Sequence, residues 1–241
     1  SDPYLSKDTD MNESKTSIRL GLIGEPSIAE TIILERDLNL VSLTECRYHA
    51  AHISTASSIE ALRLAKSKGL PVTADTSPAY FLLNDKATAD YNTSFRLNPP
   101  LRDEADRLAI IDAIADGTID AIASDHHPVE MDRKMVPFGQ AASGAAGVET
   151  LLPLAFSLFH THSISLTKIV NALSVAPAKT LSLPIPKLAI GTKANITIVK
   201  LSSSSVIRVT DFMSQSQITP FEHYLIDSKV AGCFVNGISV T

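Results

Sequence analysis

A chain of 241 residues in which 44% are hydrophobic can bury the core of one large domain or of one and a half, so general disorder is excluded. The net charge of −5 and the lack of a basic stripe argue against nucleic acid and anionic membranes as partners. The chain also lacks the apolar run of roughly 18 residues that a membrane helix needs. These features favour a small-molecule substrate. Cys46 and Cys233 are far apart, which indicates neither a disulfide framework nor a thiolate zinc site and makes the reducing cytoplasm the expected location.

Two helices are predicted from capping-box spacings in the first part of the chain. Ser27 and Glu30 begin the first helix, whose apolar periodicity extends it over about 27–44. Ser57 and Glu60 begin the second helix, in "SSIEALRLAKSKG", after a short predicted strand in "RYHAAHIS".

Further strands and helices alternate along the chain. "LPVTADTS" and the apolar "TIDAIASD" are predicted strands on either side of a capped helix in "RDEADRLAIIDAIADG". Helical patterns resume at 148–160 and 165–182. This alternation predicts an α/β fold with a parallel sheet or barrel.

The sequence changes character after about residue 188. "ANITIVK", "SSVIRV" and "KVAGCFVNGISV" are short, β-branched segments separated by Ser, Gly and Asn, which predicts a small all-β appendage. Pro184 and Pro186 mark the joint, so the expected domains are 1–185 and 186–241.

Two polar side chains follow the predicted strands at their carboxyl ends. Because side chains alternate along a strand, His52 is the last residue on its face and His49 is expected on the opposite face. Asp125 is likewise the last residue of its strand. An imidazole nitrogen and a carboxylate oxygen at such ends suit zinc or a similar divalent ion, although a hydrogen-bonded structural histidine and an otherwise compensated carboxylate are alternatives. His126 and His127 are expected behind the site or on the surface.

Two loops lie between these elements. In "RLNPPLRDEADR" the prolines predict a rigid loop that presents Asn98, with Arg102 as a second candidate. The Asn98 amide either recognises an amide or imide edge or caps the turn. The Gly-rich "FGQAASGAAGVE" either lets backbone N–H groups approach a ligand or forms a flexible lid, and it lacks the spacing of a phosphate loop.

Four segments in order, "YHAAHIST", "RLNPPLRDEADR", "DGTIDAIASDHHP" and "GVETLLPL", resemble the class I dihydroorotases of the amidohydrolase superfamily. "IGTKANITIVK" and "VNGISV" are similar to that superfamily's small β-sandwich. The resemblance implies the carboxyl-terminal part of a TIM barrel, about three of its eight strands, with a β-sandwich appendage. It also implies the reversible closure of N-carbamoyl-L-aspartate to L-dihydroorotate in pyrimidine biosynthesis.

The resemblance implies a metal site with one or two zinc ions. His52 would be a metal ligand, and Asp125 both a metal ligand and the catalytic acid and base. The remaining ligands, a His-x-His pair, a bridging carboxylate and a further histidine, would lie upstream of Ser1 in an amino-terminal part of the barrel.

Substrate contacts are implied for Asn98 and for the backbone near Ser143 and Gly144, with the segment 137–139 as an alternative to the last two. The chain departs from the family at Val129, where relatives usually have a histidine that binds the substrate carboxylate. It also departs at 77–80, where it has Ser-Pro-Ala-Tyr and many relatives have Thr-Pro-His-His.

Two other functions stay open at this point. One is a hydantoinase or allantoinase, a cyclic amidase of different preference. The other is a non-catalytic dihydroorotase-like subunit that scaffolds aspartate carbamoyltransferase. A homodimer or a complex with aspartate carbamoyltransferase is the expected assembly, and three strands alone would leave unpaired sheet edges.

Overall fold

The computed structural model describes residues 1–185 and 187–240. In chain order its first elements are β1 (Met11–Asn12), α1 (Lys15–Leu20), β2 (Gly24–Glu25), α2 (Ile28–Thr44), β3 (Tyr48–Ala50), α3 (Ala56–Ser67), β4 (Val72–Thr76), α4 (Pro78–Leu82), α5 (Glu104–Asp116) and β5 (Ala121–Ile122). They are followed by α6 (Leu151–His162), α7 (Leu166–Val170), a π-helical turn (Asn171–Val175), α8 (Ala176–Thr180), β6 (Ile196–Lys200), β7 (Ser205–Val206), β8 (Leu225–Ile226), β9 (Lys229–Val235) and β10 (Ile238–Ser239).

Three parallel strands, in the order β3-β4-β5, form the central sheet. Each is joined to the next by helices, which is the connection that parallel neighbours require. The predicted α/β class is therefore confirmed. Helices α2, α3 and α5 bury apolar side chains against this sheet, among them Leu34, Leu38, Val41, Ile59, Leu62, Ile110 and Ile114.

Helix α2 has the predicted extent, Ile28–Thr44, but the predicted capping box is wrong. Ser27 makes no capping hydrogen bond through its side chain. Glu30 turns into the core instead, where its carboxylate accepts the backbone N–H groups of Ser54 and Thr55, each at 3.2 Å. The Glu30 side chain therefore makes a tertiary contact instead of the local capping contact that the sequence pattern predicts.

The second predicted cap is also displaced. Thr55, not Ser57, caps α3, and its side chain accepts the backbone N–H of Ser58 at 3.3 Å. The strands are shorter than their apolar runs, since β3 ends at Ala50 and β5 comprises only Ala121–Ile122. The pattern predicted as one helix over 165–182 is divided between α7, the π-helical turn and α8.

Apart from a 3₁₀ turn at Val209–Asp211, the elements after residue 190 are short strands, as the sequence predicts. Strands β6, β9 and β10 form an antiparallel sheet, and β7 pairs with β8. Ile207 and Phe221, however, are buried beside Tyr80 and Leu97 of the α/β part. The division into 1–185 and 186–241 remains a prediction, and Pro186 and Thr241 lie outside the described residues. No helix within the described part of the chain has the length and apolar composition of a membrane span.

The prediction that Arg102 is presented to a ligand is wrong, because its side chain is buried in an ion cluster. Its guanidinium donates to Glu25 Oε1 at 3.0 Å, to Asn12 Oδ1 at 3.1 Å and to Ser54 Oγ at 3.0 Å. Glu30 Oε2 lies 3.8 Å from the same guanidinium. Buried charges are tolerated only when they are paired, so Arg102 holds these segments together.

We therefore expect Arg102→Met to lower the free energy of unfolding by about 3–5 kcal/mol, because it leaves the Glu25 carboxylate buried without its partner. Arg63→Met is the control, since Arg63 and Asp116 pair with 42% and 45% of their side chains exposed, and a loss of about 0–1 kcal/mol is expected there. Urea unfolding of the full-length protein measures both. Equal losses in the two variants would contradict the structural role of Arg102.

Candidate active site at the carboxyl ends of the strands

The structure brings His52 and Asp125 together, although their strands are separated by β4. His52 Nε2 lies 3.6 Å from Asp125 Oδ1. Both residues follow the ends of their strands and have left-handed backbone conformations, with φ of 57° for His52 and 46° for Asp125. Left-handed non-glycine residues are uncommon and concentrate at functional sites, so two of them in contact mark this point of the fold.

The prediction that His49 and His52 lie on opposite faces is wrong. Regular alternation stops with β3 at Ala50, and the left-handed turn at His52 redirects its ring. His49 Nε2 lies 2.8 Å from Asp75 Oδ2, and His52 Nδ1 lies 3.2 Å from Asp75 Oδ1. Both imidazoles therefore contact one carboxylate at the end of β4.

Asp75 is a residue that the sequence analysis missed. Its Oδ1 accepts the backbone N–H of His52 at 2.7 Å, and its backbone carbonyl accepts the N–H of Ile53 at 2.9 Å. Burial alone would raise the pKa of Asp75, but hydrogen bonds from His49 and His52 hold this pKa well below its ordinary value. The available signal was a carboxylate near the end of the neighbouring predicted strand, "LPVTADTS".

The same contacts set the charge of His52. The interaction with Asp75 raises the pKa of His52, although burial acts in the opposite direction. Nδ1 of His52 is buried and faces Asp75 without the alignment of a hydrogen bond. Nε2 is the nitrogen directed at Asp125.

Tyr80 joins Asp125 to the loop that carries Asn98. Its buried hydroxyl donates to the backbone carbonyl of Pro99 at 3.0 Å and lies 3.5 Å from Asp125 Oδ2. Burial raises the pKa of the Asp125 carboxyl, and burial together with the Asp125 charge raises the pKa of Tyr80 well above its ordinary value. The sequence marked Tyr80 only as a departure from the family pattern.

A cavity of about 100 Å³ brings together the predicted site residues other than His52, which is not part of its lining. It is lined by Leu97, Asn98, Asp125, His127, Ser143 and Gly144. The side-chain amide of Asn98 is exposed and makes no hydrogen bond within residues 1–185 and 187–240. Asn98 therefore does not cap its turn through its side chain, which leaves the amide free to contact a ligand.

Ser143 and Gly144 differ in what their backbones offer. Gly144 donates its N–H to the carbonyl of Arg96 at 3.0 Å, so this amide is already used. The N–H and hydroxyl of Ser143 make no hydrogen bond to any described residue. The alternative segment, 137–139, does not line the cavity, because Phe138 is buried and Gly139 lies against Asp10.

The two histidines after Asp125 have different surroundings. His126 is exposed, and its Nδ1 accepts the backbone N–H of Gly147 at 3.1 Å. His127 is exposed at the mouth of the cavity and contributes to its lining. The expectation that both lie behind the site or on the surface therefore omits that His127 also lines the cavity.

The donors present suit part of a metal site. His52 Nε2 and the Asp125 carboxylate are a nitrogen and an oxygen donor of the kinds that zinc accepts, and Asp75 facing the other ring nitrogen leaves Nε2 available. Among the described residues, no group of three His, Cys, Asp or Glu side chains is arranged to hold a metal ion. The residues described here thus offer two of the four ligands that a tetrahedral zinc ion takes.

Comparison with known proteins identifies what this chain is similar to. The model of the amidohydrolase family matches residues 15–240. The dihydroorotase of Desulforapulum autotrophicum is 41% identical over 236 residues, which cover 98% of this chain and 55% of that protein. The dihydroorotase of Acetivibrio thermocellus is 42% identical over 228 residues, covering 94% of this chain and 54% of that protein.

Solved structures share the fold. The L-hydantoinase (dihydropyrimidinase) of Arthrobacter aurescens matches with a TM-score of 0.85 at 24% identity, covering 90% of this chain and 49% of that chain. The dihydropyrimidinase of Brevibacillus agri NCHU1002 matches with a TM-score of 0.86 at 22% identity, covering 99% and 54%. The chain thus spans about half the length of the proteins it matches.

The contact with Asp75 predicts a pH dependence for His52. Its folded-state pKa is raised, so the contact adds stability below the unfolded pKa of about 6.5, and this contribution is lost as the pH rises through the folded pKa. In the metal-free protein, we expect Asp75→Asn to lower the His52 pKa, because burial remains while the carboxylate is gone. NMR titration of the imidazole measures it. Asp116→Asn, an exposed carboxylate, should leave the value unchanged, and an unchanged pKa in Asp75→Asn would contradict the assignment.

Proposed function

This chain belongs to the amidohydrolase family, and we propose that it is the carboxyl-terminal portion of a zinc-dependent dihydroorotase, which interconverts N-carbamoyl-L-aspartate and L-dihydroorotate in pyrimidine biosynthesis. The observation that carries this proposal is the approach of His52 Nε2 to within 3.6 Å of Asp125 Oδ1, beside the cavity that Asn98 and Ser143 line. The names of the matched relatives in Desulforapulum and Acetivibrio support the choice of substrate.

For the architecture, we propose that β3, β4 and β5 are the last three strands of a TIM barrel and that 186–241 is a small β-sandwich segment. Both outer edges of the three-stranded sheet lack a partner strand within the described residues. Side chains at the carboxyl ends of barrel strands form the active sites of this fold. An amino-terminal part of the barrel would pair with the open edges and close the site, which agrees with relatives of about twice this length.

For the metal, we propose one or two zinc ions held by His52 through Nε2 and by Asp125 through its carboxylate, with the remaining ligands in the amino-terminal part. Zinc supplies Lewis acidity, which polarises a carbonyl group and makes hydroxide available near neutral pH. Asp75 orients the His52 ring from the side opposite Nε2, as a carboxylate commonly does for a ligating histidine.

The proton transfers are assigned to Asp125. In hydrolysis, its carboxylate takes a proton from the attacking water and passes it to the ring nitrogen that leaves, and ring closure runs the same steps in reverse. Tyr80 contacts Oδ2, which leaves Oδ1 on the side of His52.

Asn98 and Ser143 are proposed to bind the substrate ring. A side-chain amide offers one acceptor and two donor hydrogens, which match the C=O and N–H groups along the edge of a cyclic imide. The free N–H of Ser143 provides a further donor across the cavity. Gly144 would contribute space and its carbonyl, because its N–H already donates to the backbone carbonyl of Arg96.

The alternatives predict different behaviour. The first alternative is a hydantoinase or allantoinase. If dihydroorotate is not turned over, the fold shared with the solved hydantoinases favours another cyclic amide as the substrate. A scaffold for aspartate carbamoyltransferase would have no use for Asp125 and His52 beside an open cavity. Assembly as a homodimer or with aspartate carbamoyltransferase, and location in the cytoplasm, remain predictions.

We expect the full-length protein to turn over L-dihydroorotate faster than hydantoin or allantoin. Asp125→Asn should lower kcat by about 10²–10⁴-fold, the usual contribution of a general acid and base, because an amide cannot carry the proton. Asp116→Asn, an exposed carboxylate paired with Arg63, is the control and should keep wild-type kinetics. Preference for hydantoin or allantoin would support the alternative amidases, and no turnover of any of the three would support the scaffold.

Metal analysis tests the proposed ligands independently of turnover. The full-length protein should contain zinc, a chelator should abolish activity, and added zinc should restore it. His52→Gln should lower the bound zinc, whereas His223→Gln, at an exposed histidine outside the cavity, should not. Equal zinc content in His52→Gln and the wild type would remove His52 from the ligand set.

A further inference from the structure

The segment after Asp125 contains a polar group that the proposed mechanism leaves without a role. His127 lines the cavity together with Asn98 and Ser143. Neither ring nitrogen of His127 makes a hydrogen bond to a residue within 1–185 or 187–240. An uncommitted donor at the mouth of a small polar cavity can meet a ligand without breaking a contact of the fold.

The backbone around His127 holds its ring at this position. The N–H of His127 donates to the carbonyl of Ala145 at 2.9 Å. Gly144, with φ of 120°, lies directly against the ring: a Cβ atom there would come within 2.5 Å of His127 Cδ2 and 2.6 Å of its carbonyl oxygen. Only glycine at position 144 leaves room for the imidazole, so the loop is shaped around it.

The neighbouring residues His126 and Val129 do not offer a free hydrogen-bond donor to this cavity. His126 Nδ1 already accepts the N–H of Gly147. The side chain of Val129 is 5% exposed and lines a separate groove with Met131, where Ser216 donates to the Val129 carbonyl at 2.9 Å. Of these three side chains, His127 is the one that presents a free ring nitrogen to the cavity.

The guanidinium of Arg96, in the adjoining cavity, already has hydrogen-bond partners. Arg96 lines an adjoining cavity that shares Asn98 and Ser143, but its side chain donates to Asp10 O at 3.1 Å, to Asp10 Oδ1 at 3.3 Å and to Thr9 O at 3.3 Å. A substrate carboxylate next to Asp125 needs a donor, because an unpaired charge beside another carboxylate is costly.

We propose that His127 determines substrate specificity by donating a ring N–H to the carboxylate of the substrate, in the cavity that Asp125 also lines. This inference rests on the proposed function, since it assumes a cyclic amide that carries a carboxylate. His127 then distinguishes dihydroorotate from rings of the same size that lack the anionic group.

The test compares two ligands that differ only in the carboxylate, L-dihydroorotate and 5,6-dihydrouracil. In the full-length, zinc-loaded protein, we expect His127→Ala to raise KM for dihydroorotate by about 10- to 100-fold, the loss of one hydrogen bond to a charged group, with kcat within about three-fold. The inhibition constant of dihydrouracil should change by less than about three-fold, because it makes no such contact. His127→Gln keeps an N–H donor and should recover part of the affinity.

His223→Ala is the matched control and should behave as the wild type for both ligands. An unchanged KM for dihydroorotate in His127→Ala, or equal losses for both ligands, would overturn the inference while leaving the proposed function intact. Calorimetric binding of both ligands gives the second readout. If the wild type neither turns over nor binds dihydroorotate, the proposed function and the inference both fail; if it binds without turnover, the same 10- to 100-fold difference in affinity is still expected for His127→Ala.

Discussion

The contact between Asp75 and the turn after β3 is the constraint on which the geometry of the site depends. Strand β3 is only three residues long, so the sheet itself does not orient His52. Asp75 Oδ1 holds the His52 backbone N–H at 2.7 Å while it faces the imidazole at 3.2 Å. One carboxylate therefore determines both where the chain turns and which ring nitrogen faces Asp125.

A second polar network supports the same turn from the interior. Glu30 accepts the N–H groups of Ser54 and Thr55, and Arg102 donates to Ser54 and to Glu25. Charges in a core are tolerated when each has a partner, and here the partners come from distant parts of the chain. The left-handed conformation at His52 is thus held on both sides by groups that are themselves buried and paired.

Much of this arrangement follows from the sequence, and the rest depends on contacts between strands. Periodicity correctly predicts helices joined to short parallel strands, and the carboxyl-end rule correctly selects His52 and Asp125 as neighbours. Alternation fails at His49 and His52 because the strand stops before the second histidine. The capping-box prediction fails because Glu30 accepts hydrogen bonds from the backbone of Ser54 and Thr55. These contacts outweigh the stabilisation of about 1 kcal/mol that a helix cap usually provides.

Asp75 and Tyr80 show what a single sequence cannot reveal. "LPVTADTS" shows a carboxylate near the end of a predicted strand, but which side chains it contacts depends on the register in which Tyr48 lies beside Val72. The role of Tyr80 depends likewise on how the loop after Leu97 returns to the sheet.

The contacts of Tyr80 connect two parts of the candidate site, the loop that carries Asn98 and the carboxylate of Asp125. Its hydroxyl has one hydrogen to donate, with the Pro99 carbonyl at 3.0 Å and Asp125 Oδ2 at 3.5 Å as competing acceptors. The shorter distance gives the hydrogen to Pro99, so Asp125 Oδ2 is the weaker of the two contacts. A single buried hydroxyl therefore contacts both the loop that carries Asn98 and the carboxylate of Asp125.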